Sequence, residues 1–480
     1  FTVGDMYYES IMSSTAPNRV SWFSGTINPP KGSKVNGTNK HMGGPTLDNR
    51  DSVGCERTDS GKPFSCVPLR WKTVPEYLQE AGISWRVYQD KDNFGDDPLV
   101  MWKQYQTSAK KKGDLAQRGT SFPGLQKFFD DARDGKLPEV SYIVAPMQLS
   151  EHPPYMPMDG AWIQGEVAKA VMHGKNWDST ALIYSYDETG GWADHVVSPY
   201  PPQSEESEWI EDPYDKSNGI TPIGPGFRLP FYIVSPWTSG GHVFTEHAAH
   251  ESQIMFLEQW ALAHGKPFTS EEIPTWRREQ LSDLVKAFDF SSKDTSVPEV
   301  PHVRKPSQDI FTGHFNGADV CQAIHLKKVQ PDIPYKKLNP SNSMEVNKGF
   351  KRLRGDVTEG RRLTFEAHNR ALSHSGSKLK SSSSSKEHDQ KDQLFVVHWQ
   401  GVNPKDNRFR IATTDQLYIT KSLSLSKNEE KAALFSLKDM GNGVGYSISE
   451  LDSGKRLQLN EDGSVALGGD TYFQIYSVTL

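Results

Sequence analysis

Short apolar, β-rich runs alternate with helix-period stretches over the first 290 residues, and this alternation limits the chain to few architectures. Ser84 to Val87, Val140 to Ala145, Ala181 to Tyr186 and Phe231 to Ser235 read as buried strands, because each is brief, apolar and bounded by polar turn residues. Between them, Lys72 to Ala81, Phe122 to Ala132, Ala161 to Met172 and Glu251 to Ala263 repeat apolar residues near every 3.6 positions. Pro75 falls early in the first of these and Gly82 ends it, as helix boundaries favour. The alternation predicts an α/β fold with a mostly parallel sheet flanked by helices. In such sheets ligands bind beyond the carboxyl ends of the strands, so the polar residues following each run become the candidate site.

The stretch Tyr186 to Val197 is the richest of these. Asp187 and Glu188 sit where a strand ends, a Gly-Gly turn follows, and Asp194 and His195 come next. Carboxylates and imidazole gathered there supply oxygen and nitrogen ligands for a divalent metal, or an acid/base set; the alternative is a polar loop whose Asp and His cap turns. Gln89 and Asp90 close the strand beginning at Ser84, and Ser150-Glu151-His152-Pro153-Pro154 follows the strand beginning at Val140. A histidine held between a carboxylate and two prolines is rigidly presented, as a general acid or a phosphate donor requires. In Ser13-Ser14-Thr15-Ala16-Pro17-Asn18-Arg19, Pro17 suits an early helical position, with Ser14 or Thr15 capping. A hydroxyl there meets free backbone N–H groups and the positive end of the helix dipole, although a plain threonine cap satisfies the same pattern.

Beyond residue 290 the character changes. Residues 291–344 are loop-rich and aperiodic, a wrapping linker, whereas 345–480 hold short alternating runs between Gly, Asn and Asp turns. That pattern predicts a C-terminal antiparallel β domain. Within it, Ser373 to Asp392 contains five consecutive serines among Lys, His and Asp, and its composition predicts a disordered loop. Ser198 to Gly226 is too long for an ordinary connection and is expected to be a lid or a mobile excursion.

A net charge of −6 over 480 residues argues against a nucleic-acid binder, for which a concentrated basic face is expected, and no apolar run is long enough to span a bilayer. Cys55 and Cys66 bracket a turn-rich segment, and a disulfide between them is expected to contribute about 3 kcal/mol by the loop-entropy argument. With the sequon Asn36-Gly37-Thr38 it points to a secreted or cell-surface setting.

Together, Asp5-x-Tyr-Tyr-x-Ser10, Ser14-Thr15-Ala-Pro-Asn-Arg19, Ser24-Gly-Thr26, Trp85-Arg-Val-Tyr-Gln-Asp90, Ser150-Glu-His-Pro-Pro154, Tyr186-Asp-Glu188 with Asp194-His-Val196, and Ser235-Pro-Trp237 form an ordered series. It resembles the bacterial-type (non-haemolytic) phospholipase C family, which also contains acid phosphatases and belongs to the alkaline-phosphatase-like superfamily. The Trp276-Arg-Arg278 and Ala287-Phe-Asp-Phe290 segments are most similar to fungal members. The resemblance covers about the first 290 residues and implies a metal-dependent phosphoesterase. By that resemblance Thr15 is the nucleophile that forms a phospho-enzyme, and it also meets the metal. Asp187 and Glu188 are the metal-binding pair, and His152 stabilises the phosphoryl group or protonates the leaving group. His195, Asp194, Gln89 and Asp90 are expected at the substrate. The implied cofactor is a divalent metal ion, and the implied partners are a phospholipid or phosphate-ester substrate and, transiently, a membrane surface. Asn18 and Arg19 are expected to shape the helix of the nucleophile.

One element of the family pattern has no counterpart between Phe1 and Leu480: a strand ending in Glu-Asn that supplies further metal ligands. The expectation is that this strand belongs to an N-terminal segment preceding Phe1, without which the chain is not independently stable. Three activities remain open from sequence: a phospholipase C acting on phosphodiesters, an acid phosphatase acting on monoesters, and a non-catalytic remnant.

Overall fold

The computed structural model describes residues 1–29, 43–49, 53–57, 61, 63–190, 192, 194, 196–212, 215–326, 348–402 and 405–480. Asn36 to Thr38 lie outside them. The α/β region runs β1 (Thr2–Gly4), α1 (Thr15–Ser24), β2 (Gly54–Arg57), β3 (Pro63–Val67), α2 (Val74–Glu80), β4 (Trp85–Gln89), α3 (Lys103–Lys110), α4 (Asp114–Gly119), α5 (Leu125–Asp134) and β5 (Val140–Val144). It continues through α6 (Pro157–Met172), β6 (Leu182–Ser185), β7 (Trp209–Glu211), β8 (Ile220–Pro222), β9 (Phe231–Val234), β10 (His242–Phe244), α7 (His250–Ala263) and α8 (Thr275–Gln280).

All four strands and all four helices read from periodicity are present, with ends shifted by a few residues. The central sheet is flanked by helices and joined to an antiparallel C-terminal region. Strand β1 pairs parallel with β10 and antiparallel with β9, and β9 pairs antiparallel with β6. Strands β4 and β5 pair parallel with each other in a sheet of their own.

Local chemistry sets the helix ends. In α2, the Thr73 backbone N–H donates to the Glu76 carboxylate (2.9 Å), half of a capping box. Helix α1 stops because Gly25 adopts φ +82°, and a Cβ there would come within 2.4 Å of the Ile273 side chain. Val20 and Phe23 on α1 are fully buried, and each such side chain contributes about 1.5–3 kcal/mol. This anchors the helix that carries Thr15.

The segment expected as a lid, 198–226, contains the β7–β8 hairpin and is tied into the core. Arg277, 2% exposed, donates to both carboxylate oxygens of Glu208 (3.0 and 3.1 Å through Nε) and to Glu251 (2.8 Å), both of which are fully buried. The Cys55–Cys66 disulfide crosses the β2–β3 hairpin.

The C-terminal region holds α9 (Gly317–His325), β11 (Gly349–Arg354), β12 (Arg362–Ala367), β13 (Arg370–Ser375), β14 (Lys378–Ser383), β15 (Phe395–Trp399) and β16 (Phe409–Thr413) among its elements. The expected disordered loop at 373–392 is overturned. Strands β13 and β14 form an antiparallel ladder from Arg370↔Ser383 to Ser375↔Lys378. The two-residue turn between them begins with Gly376 at φ +58°, which suits a tight hairpin. Three of the five serines that suggested disorder, Ser381 to Ser383, lie on β14, and Leu372 and Leu379 of this hairpin enter the C-terminal core.

Candidate active site

The ends of β4, β5 and β6 and the start of α1 converge on a cluster of charge. Arg19 is at its centre. Its Nε donates to Asp187 Oδ2 (2.8 Å), its Nη1 to the Asp96 carbonyl (3.1 Å), and its Nη2 lies 3.3 Å from Asp96 Oδ2. Thr15 lies four residues earlier on the same helix, hence on the same face one turn nearer the N-terminus. It is half-buried, and no side-chain cap bond occupies the helix start.

Asn18 holds the loop into α1. Its amide donates to the carbonyls of Ile11 (2.9 Å), Ser13 (3.3 Å) and Ser14 (3.2 Å), while its oxygen accepts from the Ile11 N–H (2.9 Å). Asn18 thus shapes the helix start, whereas Arg19 belongs to the site itself.

Burial opposes ionisation of Asp187, but the charge and hydrogen bond of Arg19 outweigh it and hold the carboxyl below its ordinary range. Glu188 goes the other way. Burial raises it, the Gly190 N–H (2.7 Å) opposes, and the neighbouring Asp187 charge adds to the rise. Glu9, on the loop after β1, is pushed up to about 7 by burial; the Phe227 N–H (3.0 Å) opposes, and Glu188 and Asp187 add to the shift. One ionised carboxylate therefore sits beside two that resist ionisation.

A buried relay supports Asp187 from behind. The His250 Nε2 donates to the Asp187 carbonyl (2.9 Å), so its Nδ1 accepts from the Tyr7 hydroxyl (2.9 Å). Gln253 donates in turn to that hydroxyl (2.7 Å) and to Ser185 (2.8 Å). Burial lowers the His250 pKa, in keeping with the neutral ring this chain of bonds requires.

His152 is exposed on the loop after β5. Its Nδ1 donates to the Pro153 carbonyl (2.7 Å) and its ring packs 5.0 Å from that of Phe94. This leaves Nε2 as the outward nitrogen. Its charge acts on both Glu188 and Asp96.

The structure thus gathers Asp187, Glu188, His152 and, one helical turn from Arg19, Thr15. Of the other expected residues, Gln89, Asp90 and Asp194 are placed elsewhere. Gln89 is fully buried, with its amide donating to Asp97 (2.8 Å) and to the carbonyls of Gly119 (3.3 Å) and Ser121 (3.2 Å). Asp90 is half-buried, and the Leu125 N–H moderates its burial-raised carboxyl. Asp194 is spent on Arg228, which donates to it at 2.7 and 3.0 Å. His195 lies outside the described residues. Sequence reading missed Asp96, Glu9, Tyr7 and His250; the acid pair Asp96-Asp97 soon after β4 was the available signal for the first.

Among the described residues no group of three or more His, Cys, Asp and Glu is placed to hold a metal ion. Asp187 Oδ2 is taken by Arg19 and its Oδ1 by the Glu188 N–H (2.9 Å). By themselves the described residues do not fit a divalent cation.

The family model described as "Phosphoesterase family" matches residues 1–262. The non-hemolytic phospholipase C of Burkholderia pseudomallei is 33% identical over 333 residues, covering 63% of this chain and 44% of that protein. That of Pseudomonas aeruginosa is 34% identical over 363 residues, with 72% and 47% covered. Phospholipase C B of Mycobacterium tuberculosis is 31% identical over 318 residues, with 63% and 56% covered. The chain spans about half the length of these curated relatives. With a matching family model over more than half its length and the acidic cluster at the ends of its strands, this chain belongs to the phosphoesterase family.

Proposed function

We propose that this chain carries the hydrolytic centre of a phospholipase C-type phosphoesterase, which cleaves a phospholipid headgroup from diacylglycerol. The carrying observation is the placement of Thr15 one turn before Arg19 on α1, with Arg19 bonded to Asp187. The names of the relatives support the substrate class.

In this reading the Thr15 hydroxyl attacks phosphorus in line. A bond forms from Thr15 Oγ1 to phosphorus, and the bond from phosphorus to the leaving alkoxide breaks. The hydroxyl proton passes to the Asp187–Glu188 pair, and His152 Nε2 delivers a proton to the leaving oxygen. The Arg19 guanidinium and the free N–H groups at the start of α1 face the phosphoryl oxygens. Water then hydrolyses the phospho-threonine. A divalent cation would contribute charge neutralisation beside Asp187 and Glu188. The described residues do not complete its ligand set.

Two features support the wider setting. The Cys55–Cys66 disulfide accords with a secreted or cell-surface protein. Trp192, Val197 and Tyr200, 73%, 82% and 63% exposed just after the acid pair, suit transient contact with a lipid surface. The incomplete donor set favours one second reading, in which Phe1–Leu480 folds but is catalytically silent alone.

The test is hydrolysis of a chromogenic phosphocholine diester beside the matching monoester. Thr15→Ala abolishes turnover while melting as the parent does, and Thr15→Ser keeps part of it. Full turnover by a folded Thr15→Ala protein refutes the nucleophile, and preference for the monoester assigns an acid phosphatase instead.

A further inference from the structure

Where the sheet of the α/β region passes into the C-terminal region, β10 and β11 pair parallel with His242 opposite Arg352. Residues two apart on a strand share a face, so Arg354 stands on the same side as Arg352 and His242. These three, with Lys286, Asp439 and Gln474, line a small cavity of about 20 Å³.

Arg354 is the unusual member of this wall. It is 9% exposed, yet its bonds are confined to Nη1, which donates to the carbonyls of Ala287 (2.9 Å) and Trp237 (3.2 Å). Among the described residues no carboxylate is ion-paired with it, and its Nε and Nη2 meet no acceptor. Burial pushes the guanidinium down to about 10; the Asp289 charge opposes, the Arg352 charge adds to the fall, and Asp439 opposes last. Both carboxylates are engaged elsewhere. Asp289 accepts from the Ser291 N–H (3.1 Å) and hydroxyl (2.6 Å), and Asp439 from the N–H groups of Gly355 (2.6 Å) and Gly441 (2.8 Å). Burial also raises the Asp439 carboxyl, which weakens it as a counter-charge. Arg352 donates to the Gly443 carbonyl (2.8 Å), whereas Lys286 is matched by Glu246 and Asp356. His242 is 7% exposed, and its Nδ1 has no partner among the described residues. Burial, then the charges of Arg354 and Arg352, push its pKa down to about 3, so the ring is neutral.

Two guanidinium charges thus face one hindered carboxylate across a shared cavity. A buried charge without a counter-charge is strongly destabilising. A water molecule would accept from the unmet N–H groups but leave the charge unmatched; an anion does both. The neutral imidazole in its Nδ1–H tautomer supplies one more donor. The space admits about one water-sized body, which excludes tetrahedral oxyanions and organic acids.

We infer that the cavity beside β10, β11 and the last strand (Gln474–Thr479) binds one monatomic anion, a chloride or bromide ion, held by Arg354, Arg352 and the His242 Nδ1–H. Because its ligands come from strands of both regions, the ion ties the C-terminal region to the α/β sheet. The inference stands on burial, charge and volume, independently of the hydrolytic reading, and its readouts involve no turnover.

The experiment compares thermal unfolding in sodium chloride, sodium bromide and sodium gluconate, each at about 0.1 M so that screening is equal. Tm is higher by about 2–4 °C in either halide than in gluconate, and Arg354→Met removes the difference. The protein also broadens the chloride NMR line, bromide narrows it again by competition, and Arg354→Met does not broaden it. Should Arg354→Met fail to fold, Arg352→Gln, at a half-buried position, supplies the comparison and weakens both effects. Equal Tm in all three salts, or no broadening, overturns the inference in favour of a water molecule. A halide effect that persists undiminished in the folded variants overturns it in favour of general salt effects. Sulfate that narrows the chloride line as well as bromide does overturns the assignment to a monatomic ion.

Discussion

Removing the guanidinium of Arg277 tests how the candidate site is held in place. Arg277→Met keeps the volume of the side chain but leaves the Glu208 and Glu251 carboxylates, both fully buried, facing each other's field without a counter-charge. Glu251 retains hydrogen bonds from Ser10 (2.7 Å) and Ser21 (2.6 Å), so it is the better supported of the two. Burial alone would raise its carboxyl, and it is the Arg277 charge that first reverses this. Breaking a buried pair in this way costs about 3–5 kcal/mol. For a cooperative unit the size of the α/β region, the unfolding entropy near the midpoint is about 0.6 kcal/mol/K, so Tm falls by about 5–8 °C at pH 7. The loss has a pH signature. Without Arg277 the folded pKa of Glu251 rises, and the folded state then takes up protons as pH falls. The gap to the parent is therefore smaller at pH 5 than at pH 8. Adding Glu208→Gln and Glu251→Gln to Arg277→Met restores much of the loss, because no charge is left buried. Thermal unfolding by circular dichroism at both pH values reads all of this. A single variant melting within about 1 °C of the parent, or a gap independent of pH, would refute the view that this triad holds the hairpin and the Ser10 loop to the core.

Three further outcomes follow from the same reasoning. Glu9 has a folded pKa of about 7 against an ordinary 4.5, so it subtracts stability progressively between those pH values and fully above them; Glu9→Gln leaves stability at pH 4 unchanged and raises it at pH 8 by up to about 3 kcal/mol, and equal effects at both would contradict the burial argument. Asp187→Asn strips Arg19 of an ionic partner and costs about 1–3 kcal/mol at neutral pH. Because the folded pKa of Asp187 is lowered, that difference shrinks as pH falls through the carboxylate range, which urea unfolding at pH 7 and pH 3.5 checks. Lys378 and Lys380 lie within β14, so limited trypsin digestion spares them while the hairpin is folded, and rapid cleavage after either would restore the disordered loop.

The helices and the buried strands of the α/β region were legible because their apolar periods are strong and their ends are marked by proline, glycine or acids. Strands β1 and β10 were not, since each has three residues and too little length for a period to declare itself. The serine run misled because composition was weighed above pattern: Leu372 and Leu379 on either side of Gly376-Ser377 were the hairpin signal. At the site, position alone pointed to the strand ends but could not tell which way a side chain turns. Gln89 ends its strand as expected and turns inward, whereas Asp187 turns toward Arg19. The involvement of Asp96, His250 and Tyr7 depends on contacts across 63 to 243 residues, which no local window contains.

Strand β10 pairs parallel with β11, from His242↔Arg352 to Phe244↔Arg354, and so the sheet does not stop where the α/β region ends. The last strand, Gln474–Thr479, continues the ladder beyond β11. Across this seam Lys286, which also pairs with Glu246 (2.9 Å) on its own side, reaches Asp356 (3.4 Å), and Arg361 pairs with Asp5. An appended β region that merely hung from a tether could be trimmed without cost. Here its removal would strip the bonding partner from β10 and present a raw border to any neighbouring molecule. The C-terminal region therefore works as a selvedge, finishing the margin of the fabric to which the candidate site is attached, and a shortened protein ending near residue 344 should clump before it loses its fold.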